Sequence, residues 1–169
     1  MTAAPADAPP PGEEVVDLCR DLIRIDTTNT GETETSVGER VAAEYVAAKL
    51  AEVGLEPAVV ESAPRRANVV ARFPGTDPTR PALLVHGHLD VVPADPDEWS
   101  VAPFSGEIRD GYLWGRGAVD MKDFDAMVLA VVRHWRRTGQ TPPRDLVLCF
   151  TADEESGGLY GAHHLVDHH

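Results

Sequence analysis

The 169-residue sequence predicts an α/β fold, a three-layer α/β/α sandwich around a mostly parallel sheet. Amphipathic segments with helical spacing alternate along the chain with short strand segments. Two of the strands, residues 82–85 and 145–151, are apolar at most positions, which is typical of strands that helices cover on both faces. The apolar fraction of 43% is ordinary for a globular domain.

The chain is predicted to form one domain over residues 13–169, after a lead over residues 1–12 that is rich in alanine and proline and is expected to be disordered. The lead lacks the basic start and apolar core of a signal peptide. No apolar run reaches the roughly 18 residues of a membrane span. The formal net charge of −13 argues against a nucleic-acid-binding surface. These features predict a cytoplasmic protein that binds neither a membrane nor a nucleic acid.

The predicted elements follow one another as helices, strands and one hairpin. The first helix, residues 13–26, begins with two acids that suit the positive end of the helix dipole. The second helix, residues 36–53, is expected to stop at Gly54. Strands are predicted at residues 57–61, 68–73, 82–85 and 145–151. Two more helices are predicted, one at residues 121–138 and one from about residue 160.

Two further elements carry predictions about individual residues. A hairpin is expected over residues 107–114, with Asp110 and Gly111 forming its turn. The third helix is expected to turn one apolar face inward. That face consists of Met127, Val128, Val131, Val132 and Trp135.

Polar residues stand where the two apolar strands end. His88 and Asp90 follow the first of these strands, and Glu154 and Glu155 follow the second. Asp120 follows a glycine-rich turn at the start of the third helix. Because ligands of open α/β sheets gather at the carboxyl ends of strands, we expect these side chains to meet at one edge of the sheet.

One imidazole with several carboxylates suits Zn²⁺, or a pair of zinc ions bridged by a carboxylate. A zinc-bound water has a pKa near 7, and a glutamate that does not bind the metal can take its proton and pass it to a leaving amine. Glu154 and Glu155 can divide these two roles because neighbours in an extended segment point in opposite directions. Asp90 can accept the second N–H of His88 and so fix its tautomer.

Each of these residues also has a simpler interpretation. A histidine after a strand is often a structural hydrogen-bonding residue, Asp120 can be a helix N-cap, and two adjacent glutamates are usually solvated. Only their joint placement favours a metal site.

Three motifs carry a resemblance to a known family. They are residues 86–93 (His-Gly-His-Leu-Asp-Val-Val-Pro), residues 114–122 (Trp-Gly-Arg-Gly-Ala-Val-Asp-Met-Lys) and residues 152–158 (Ala-Asp-Glu-Glu-Ser-Gly-Gly). In this order and spacing they resemble the co-catalytic zinc metallopeptidases, which include aminoacylases, acetylornithine deacetylases, succinyl-diaminopimelate desuccinylases and glutamate carboxypeptidases. The resemblance extends from about Glu13 to the end of the chain.

The resemblance implies a role for each site residue. His88 would bind one of two zinc ions, Asp120 would bridge both, and Glu155 would bind one of them; Co²⁺ can substitute for zinc. Glu154 would be the general base, and Asp90 would support His88. The implied reaction is hydrolysis of amide bonds in small N-acyl amino acids or short peptides.

The sequence departs from the family pattern at its end. The family draws a further carboxylate ligand and a final histidine from positions beyond residue 169, and it carries a smaller lid domain that can form a homodimer. We therefore expect residues 13–169 to be the N-terminal portion of a catalytic metallohydrolase domain that is inactive alone, with any homodimer formed through that lid domain. The alternative is a non-catalytic module that binds a metal or a partner.

Overall fold

The computed structural model describes residues 9–169, so most of the predicted lead, residues 1–12, lies outside the described residues. Helix α1 spans Pro11–Arg24 and begins two residues before its predicted start. Proline is well suited to this position, because its fixed φ matches the helix and its missing N–H is not needed in the first turn. The two acids of that turn, Glu13 and Glu14, lie where the helix dipole favours them.

The other helices are shorter than their patterns predict. Helix α2 spans Arg40–Ala51, helix α3 spans Lys122–Thr138, and helix α4 spans His164–His168 after an irregular turn. The start of α2 is delayed because Gly38 adopts a left-handed φ of 88°, which a continuing helix cannot include. None of the helices within residues 9–169 has the length and hydropathy to cross a membrane.

Within the described residues the main sheet contains the strands β1 (Ala58–Ala63), β2 (Arg66–Phe73), β3 (Leu83–His88) and β6 (Leu146–Thr151), in the order β1-β2-β6-β3. The strands β1 and β2 pair antiparallel, as do β2 and β6, whereas β3 and β6 pair parallel. The α/β class is confirmed, with a mixed sheet in which the parallel pair is the one that carries the site.

The hydrophobic core lies between one face of the sheet and the helices. Helices α2 and α3 pack on that face, and α1 packs on α3. The short helix α4 lies over the other face, beside Leu84 and Val147. The sheet contributes to the core the buried residues Val69, Ala71, Phe73, Leu146, Leu148 and Phe150.

The prediction that residues 82–85 are covered on both faces is wrong for the described chain. Leu83 and Leu84 are 50% and 61% exposed. Strand β3 lies at the edge of the described sheet, and the five residues of α4 are too few to cover its second face. The apolar sequence therefore predicted the strand correctly, but it did not predict how much of the strand the helices cover.

The predicted inward face of α3 is also partly wrong. Val132 is buried, but Met127 and Val131 are 46% and 37% exposed. Because α3 packs against α1 as well as the sheet, its buried stripe lies to one side of the apolar stripe. Apart from Val132, the buried positions recur at the helical spacing of three, four and seven residues: Lys122, Asp125, Ala126, Leu129, Ala130 and Arg133.

The predicted hairpin is confirmed. Strands β4, Glu107–Arg109, and β5, Tyr112–Trp114, pair antiparallel. Asp110 and Gly111 both have positive φ angles, 55° and 81°, as a two-residue hairpin turn of this kind requires.

Candidate metal centre

The parallel pair of strands explains why the site residues converge. His88 is the last residue of β3 and lies in register with Thr151, the last residue of β6. The two strands therefore end at the same edge of the sheet, and the residues after Thr151 emerge beside His88. Asp120 reaches this edge from the turn that precedes α3. Gly87 lies next to His88, and a Cβ atom there would collide with the carboxylate of Asp125.

The structure brings the three predicted metal ligands together. His88, Asp120 and Glu155 each offer one ligand atom, and these atoms lie within 4.8 Å of one another. Nε2 of His88 is 3.2 Å from Oδ1 of Asp120 and 3.6 Å from Oε2 of Glu154. His88 is buried, whereas the side chains of Asp120 and Glu154 are 76% and 53% exposed. The site thus has a buried floor and an open, acidic rim.

The surroundings of His88 fit a bound cation. Its Nδ1 is 3.0 Å from the backbone carbonyl oxygen of Asp90, which can only accept, so Nδ1 carries a proton. In the neutral imidazole Nε2 then has a free lone pair, yet Oδ1 of the Asp120 carboxylate lies only 3.2 Å from it. Two acceptors at this distance repel each other unless a proton or a metal ion lies between them. An imidazole nitrogen beside carboxylate oxygens supplies the nitrogen and oxygen donors that Zn²⁺ binds.

Asp90 supports the site more broadly than the sequence predicts. Its carbonyl oxygen accepts the Nδ1–H of His88, while its Oδ1 is 3.6 Å from that nitrogen. The buried carboxylate instead accepts the backbone N–H groups of Glu154 and Glu155, each at 3.1 Å, and an N–H of Asn29 at 2.8 Å. Asp90 therefore fixes His88 through its backbone and the two glutamates through its side chain.

Glu154 and Glu155 lie in a short 3₁₀ turn and not in the extended segment that the sequence suggested. Glu154 is exposed and Glu155 is half-buried. Burial raises the pKa of the Glu155 carboxyl above its ordinary value, and the carboxylates of Asp120 and Asp90 act in the same direction. A cation at Glu155 would offset that concentration of negative charge.

The alternative of an N-cap role for Asp120 is wrong. The N-cap residue of α3 is Met121, and no side chain caps this helix within the described chain. The Asp120 carboxylate points instead toward His88, and a cis peptide bond joins Asp120 to Met121.

A set of polar residues behind Asp90 was not predicted as part of the site. Asn29 donates to both Asp90 and Asp153, and Arg66 joins Asp153 to Glu39. Asn29 follows two threonines in a turn-rich segment, and Arg66 begins a strand; both are positions where polar residues are usually solvated. The sequence offers no local signal that these side chains are buried.

Relatives of known function match most of the chain but only part of their own length. The profile of peptidase family M20/M25/M40 matches residues 84–169. Aminoacylase-1 of Sus scrofa is 37% identical over 147 residues, which are 86% of this chain and 35% of that protein. Succinyl-diaminopimelate desuccinylase of Delftia acidovorans is 37% identical over 128 residues, which are 73% of this chain and 33% of that protein.

Solved structures share the fold. Human carnosine dipeptidase 1 superimposes with a TM-score of 0.79 and 26% identity over 92% of this chain and 35% of its own. The dipeptidase Dug1p of Saccharomyces cerevisiae gives a TM-score of 0.72 and 27% identity over 88% of this chain and 34% of its own. The chain thus spans about a third of the length of these relatives. The profile, the identities and the fold agree with the three sequence motifs: the chain belongs to peptidase family M20/M25/M40, a family of hydrolases.

Proposed function

We propose that this chain carries the zinc-binding and general-base residues of an amide hydrolase. The observation that carries the proposal is that ligand atoms of the buried His88 and of Asp120 and Glu155 lie within 4.8 Å of one another, with the Nε2 lone pair of His88 facing the carboxylate of Asp120. The zinc ligands would be His88, Asp120 and Glu155. Bound zinc would acidify a water molecule and polarise the amide carbonyl, which is the chemistry that these ligands favour.

Asp120 is the proposed bridge between two zinc ions. Its carboxylate lies beside His88 and its side chain is 76% exposed, so Asp120 would be able to hold a second ion as well as the first. This exposure supports a bridging role better than a terminal one, because a bridge must present both oxygens. Co²⁺ would be accepted in place of zinc, since the same nitrogen and oxygen donors suit both metals.

Glu154 is the proposed general base. It does not belong to the group formed by His88, Asp120 and Glu155, yet its Oε2 is 3.6 Å from Nε2 of His88. Its exposed carboxylate can reach a water that attacks the amide carbon, take one proton from it and deliver that proton to the leaving nitrogen. Asp90 holds the backbone of Glu154 while this happens, so the base stays beside the reacting atoms.

The proposed substrates are small N-acyl amino acids or short peptides. The relatives are named as an aminoacylase, a desuccinylase and dipeptidases, all of which act on such molecules by their names. The choice among these substrates, a cytoplasmic location and a homodimer formed through a lid domain stay predictions. A module that binds metal without hydrolysis is the alternative outcome of the test below.

The first part of the test measures zinc affinity of the 169-residue chain by competition with a chromophoric chelator. We expect His88→Ala and Glu155→Gln each to weaken binding by more than about tenfold, because each removes a donor, and the loss of a residue that only supports a donor already costs about 10–100-fold. Glu154→Gln should leave the affinity within a few-fold of the wild type. The matched control is Glu56→Gln, an exposed carboxylate between α2 and β1 that does not belong to the group of ligand atoms. Equal zinc affinity in all four variants would contradict the metal site.

The second part measures hydrolysis of a panel of N-acyl amino acids and dipeptides. We expect no turnover by the 169-residue chain alone, since the centre is open to solvent on its acidic rim. In a longer protein that contains this segment, Glu154→Gln should lower kcat by about 10²–10⁴-fold with unchanged zinc content. Unchanged kcat would remove Glu154 from the mechanism, and zinc binding without any hydrolysis would favour the alternative module.

A further inference from the structure

A buried ion-pair network lies behind the metal centre. Nε and Nη2 of Arg66 donate to the two carboxylate oxygens of Glu39, both at 2.9 Å. The same Nη2 donates to Oδ1 of Asp153 at 3.0 Å. The three side chains are 0–5% exposed, so water does not screen these contacts. Arg66 therefore anchors Asp153, the residue immediately before the two site glutamates.

Asn29 joins this network to Asp90. Its Nδ2 donates to Oδ2 of Asp90 at 2.8 Å and to Oδ1 of Asp153 at 3.1 Å. Its Oδ1 accepts the backbone N–H of Gly31 at 3.0 Å, which settles the orientation of the amide, because a backbone N–H can only donate. Both N–H donors of one neutral side chain are thus used on two buried carboxylates.

The backbone keeps Asn29 in place. Its N–H donates to the carbonyl oxygen of Val91 at 2.8 Å, and Thr28 and Val91 form a parallel bridge. The segment around Asn29 is therefore fixed to the residues that follow β3, directly beside Asp90. The Oδ1 and both N–H groups of the Asn29 amide therefore all have partners.

Asp153 makes the turn that directs the two glutamates. It has a left-handed φ of 64°, a backbone conformation that is strained for a residue other than glycine. Its carboxylate offsets this strain by accepting from Arg66, Asn29 and the backbone N–H of Tyr160. The turn places the N–H groups of Glu154 and Glu155 against the carboxylate of Asp90.

We propose that Arg66 and Asn29 are positioning residues of the metal centre, which set where Glu154 and Glu155 lie by holding Asp153 and Asp90. The expected effect on zinc binding rests on the proposed function, whereas the expected effect on the positions of Glu154 and Glu155 does not. Neither residue touches the ligand atoms. They act through the two aspartates: the guanidinium of Arg66 holds Asp153, and the amide of Asn29 holds both Asp153 and Asp90.

The test compares Arg66→Met and Asn29→Ala with Arg133→Met in the metal-free chain. Arg133 is a matched control: its side chain is 4% exposed and pairs with Glu14 and Glu52 on the helices, away from the centre. Amide hydrogen exchange at Glu154 and Glu155 is followed by NMR, and the global stability of each variant is measured in urea. At equal global stability, we expect these two amides to exchange at least about tenfold faster in the Arg66 and Asn29 variants than in Arg133→Met.

Zinc affinity supplies an independent second measurement. We expect Arg66→Met and Asn29→Ala to weaken zinc binding by about 10–100-fold, as losses of residues that orient metal ligands do. Arg66→Lys should recover part of both effects, because it keeps the charge but loses the forked pair with Glu39. Arg133→Met should bind zinc as the wild type does.

The outcomes separate the two proposals. Exchange at Glu154 and Glu155 that matches Arg133→Met would overturn the positioning role, whatever zinc does. A wild-type chain that binds no zinc would overturn the proposed function, while faster exchange in the Arg66 and Asn29 variants would still uphold the positioning role. If Arg66→Met does not fold, Asn29→Ala and Arg66→Lys decide the question by the same measurements.

Discussion

The carboxylate of Asp125 is fully buried, and neither of its oxygens has a hydrogen-bond partner among the described residues. It lies against Gly87, beneath the strand that ends at His88. Burial raises the pKa of Asp125 well above its ordinary value, and the charge of Lys122 opposes this only in part. Ionising this carboxyl in the folded chain is unfavourable, because no hydrogen bond replaces those that it makes with water in the unfolded chain.

The pH dependence of stability follows from this shift. In the unfolded chain Asp125 ionises near pH 4, whereas the folded chain retains its proton to higher pH. The neutral acid therefore stabilises the fold at low pH, and this contribution is lost as the pH rises through the folded pKa. Asp125→Asn cannot ionise, so its free energy of unfolding should exceed that of the wild type by an amount that grows with pH, on the order of 1–3 kcal/mol at its largest.

Urea denaturation of both proteins between pH 4 and pH 8 checks this prediction. Asp17→Asn serves as the control, because Asp17 is an exposed acid whose loss should change the free energy of unfolding by at most about 1 kcal/mol. A constant or falling difference between Asp125→Asn and the wild type would show that Asp125 is ionised and compensated in the folded chain.

Helix α3 links the metal centre to the rest of the domain through its first residue. Nζ of Lys122 donates to the backbone carbonyl oxygens of Leu22 at 2.9 Å and Ile25 at 2.7 Å. These carbonyls belong to the end of α1, where the last turn of a helix leaves acceptors without intrahelical partners. Burial lowers the pKa of Lys122 to about 8. The turn that carries Asp120 is thus tied to α1 by one buried side chain.

The two faces of α3 should respond differently to substitution. Met127 belongs to the apolar stripe but is 46% exposed, whereas Leu129 is fully buried. We expect Leu129→Ala to lower the free energy of unfolding by about 2–5 kcal/mol, the usual cost of a cavity. Met127→Gln should change it by less than about 0.5 kcal/mol, as for other exposed positions.

Urea titrations of the two variants with fitted m-values distinguish the faces. If Leu129→Ala and Met127→Gln lower the free energy of unfolding by comparable amounts, then α3 buries the apolar stripe predicted from the sequence. The helix would then be rotated about its axis relative to this structure. Val131→Thr, at the second exposed position of the stripe, provides a repeat of the Met127 measurement.

For the whole molecule, local patterns predicted the order of helices and strands, because the spacing of apolar residues differs between a helix and a strand. They did not predict that β1 and β2 pair antiparallel, which follows from the tight turn at Arg65. The convergence of His88 with Glu155 could be predicted because His88 ends one strand of a parallel pair and Glu155 follows the end of the other. The burial of Arg66 could not, since it depends on partners 27 and 87 residues away along the chain.

The net charge of −13 affects the stability of the entire domain. Like charges spread over a small folded chain repel one another, and unfolding relieves that repulsion. Salt screens it, with a Debye length that falls to about 10 Å at 0.1 M. Exposed ion pairs such as Arg40 with Glu44 weaken as well, but each contributes at most about 1 kcal/mol. We therefore expect Tm at pH 7.5 to rise by a few degrees between about 20 and 300 mM NaCl, since about 1 kcal/mol moves Tm by 2–4 °C in a chain of this size.

The same salt series at a second pH separates net repulsion from other effects of salt. Near pH 4.8, the isoelectric point of the sequence, the repulsion vanishes and Tm should be flat or fall as ion pairs are screened. EDTA in every sample keeps divalent ions from binding at His88 and Asp120, where they would stabilise the chain by a different route. An equal rise of Tm at both pH values would show that NaCl acts through burial of apolar surface and that the excess of acids is not what limits the stability of this domain.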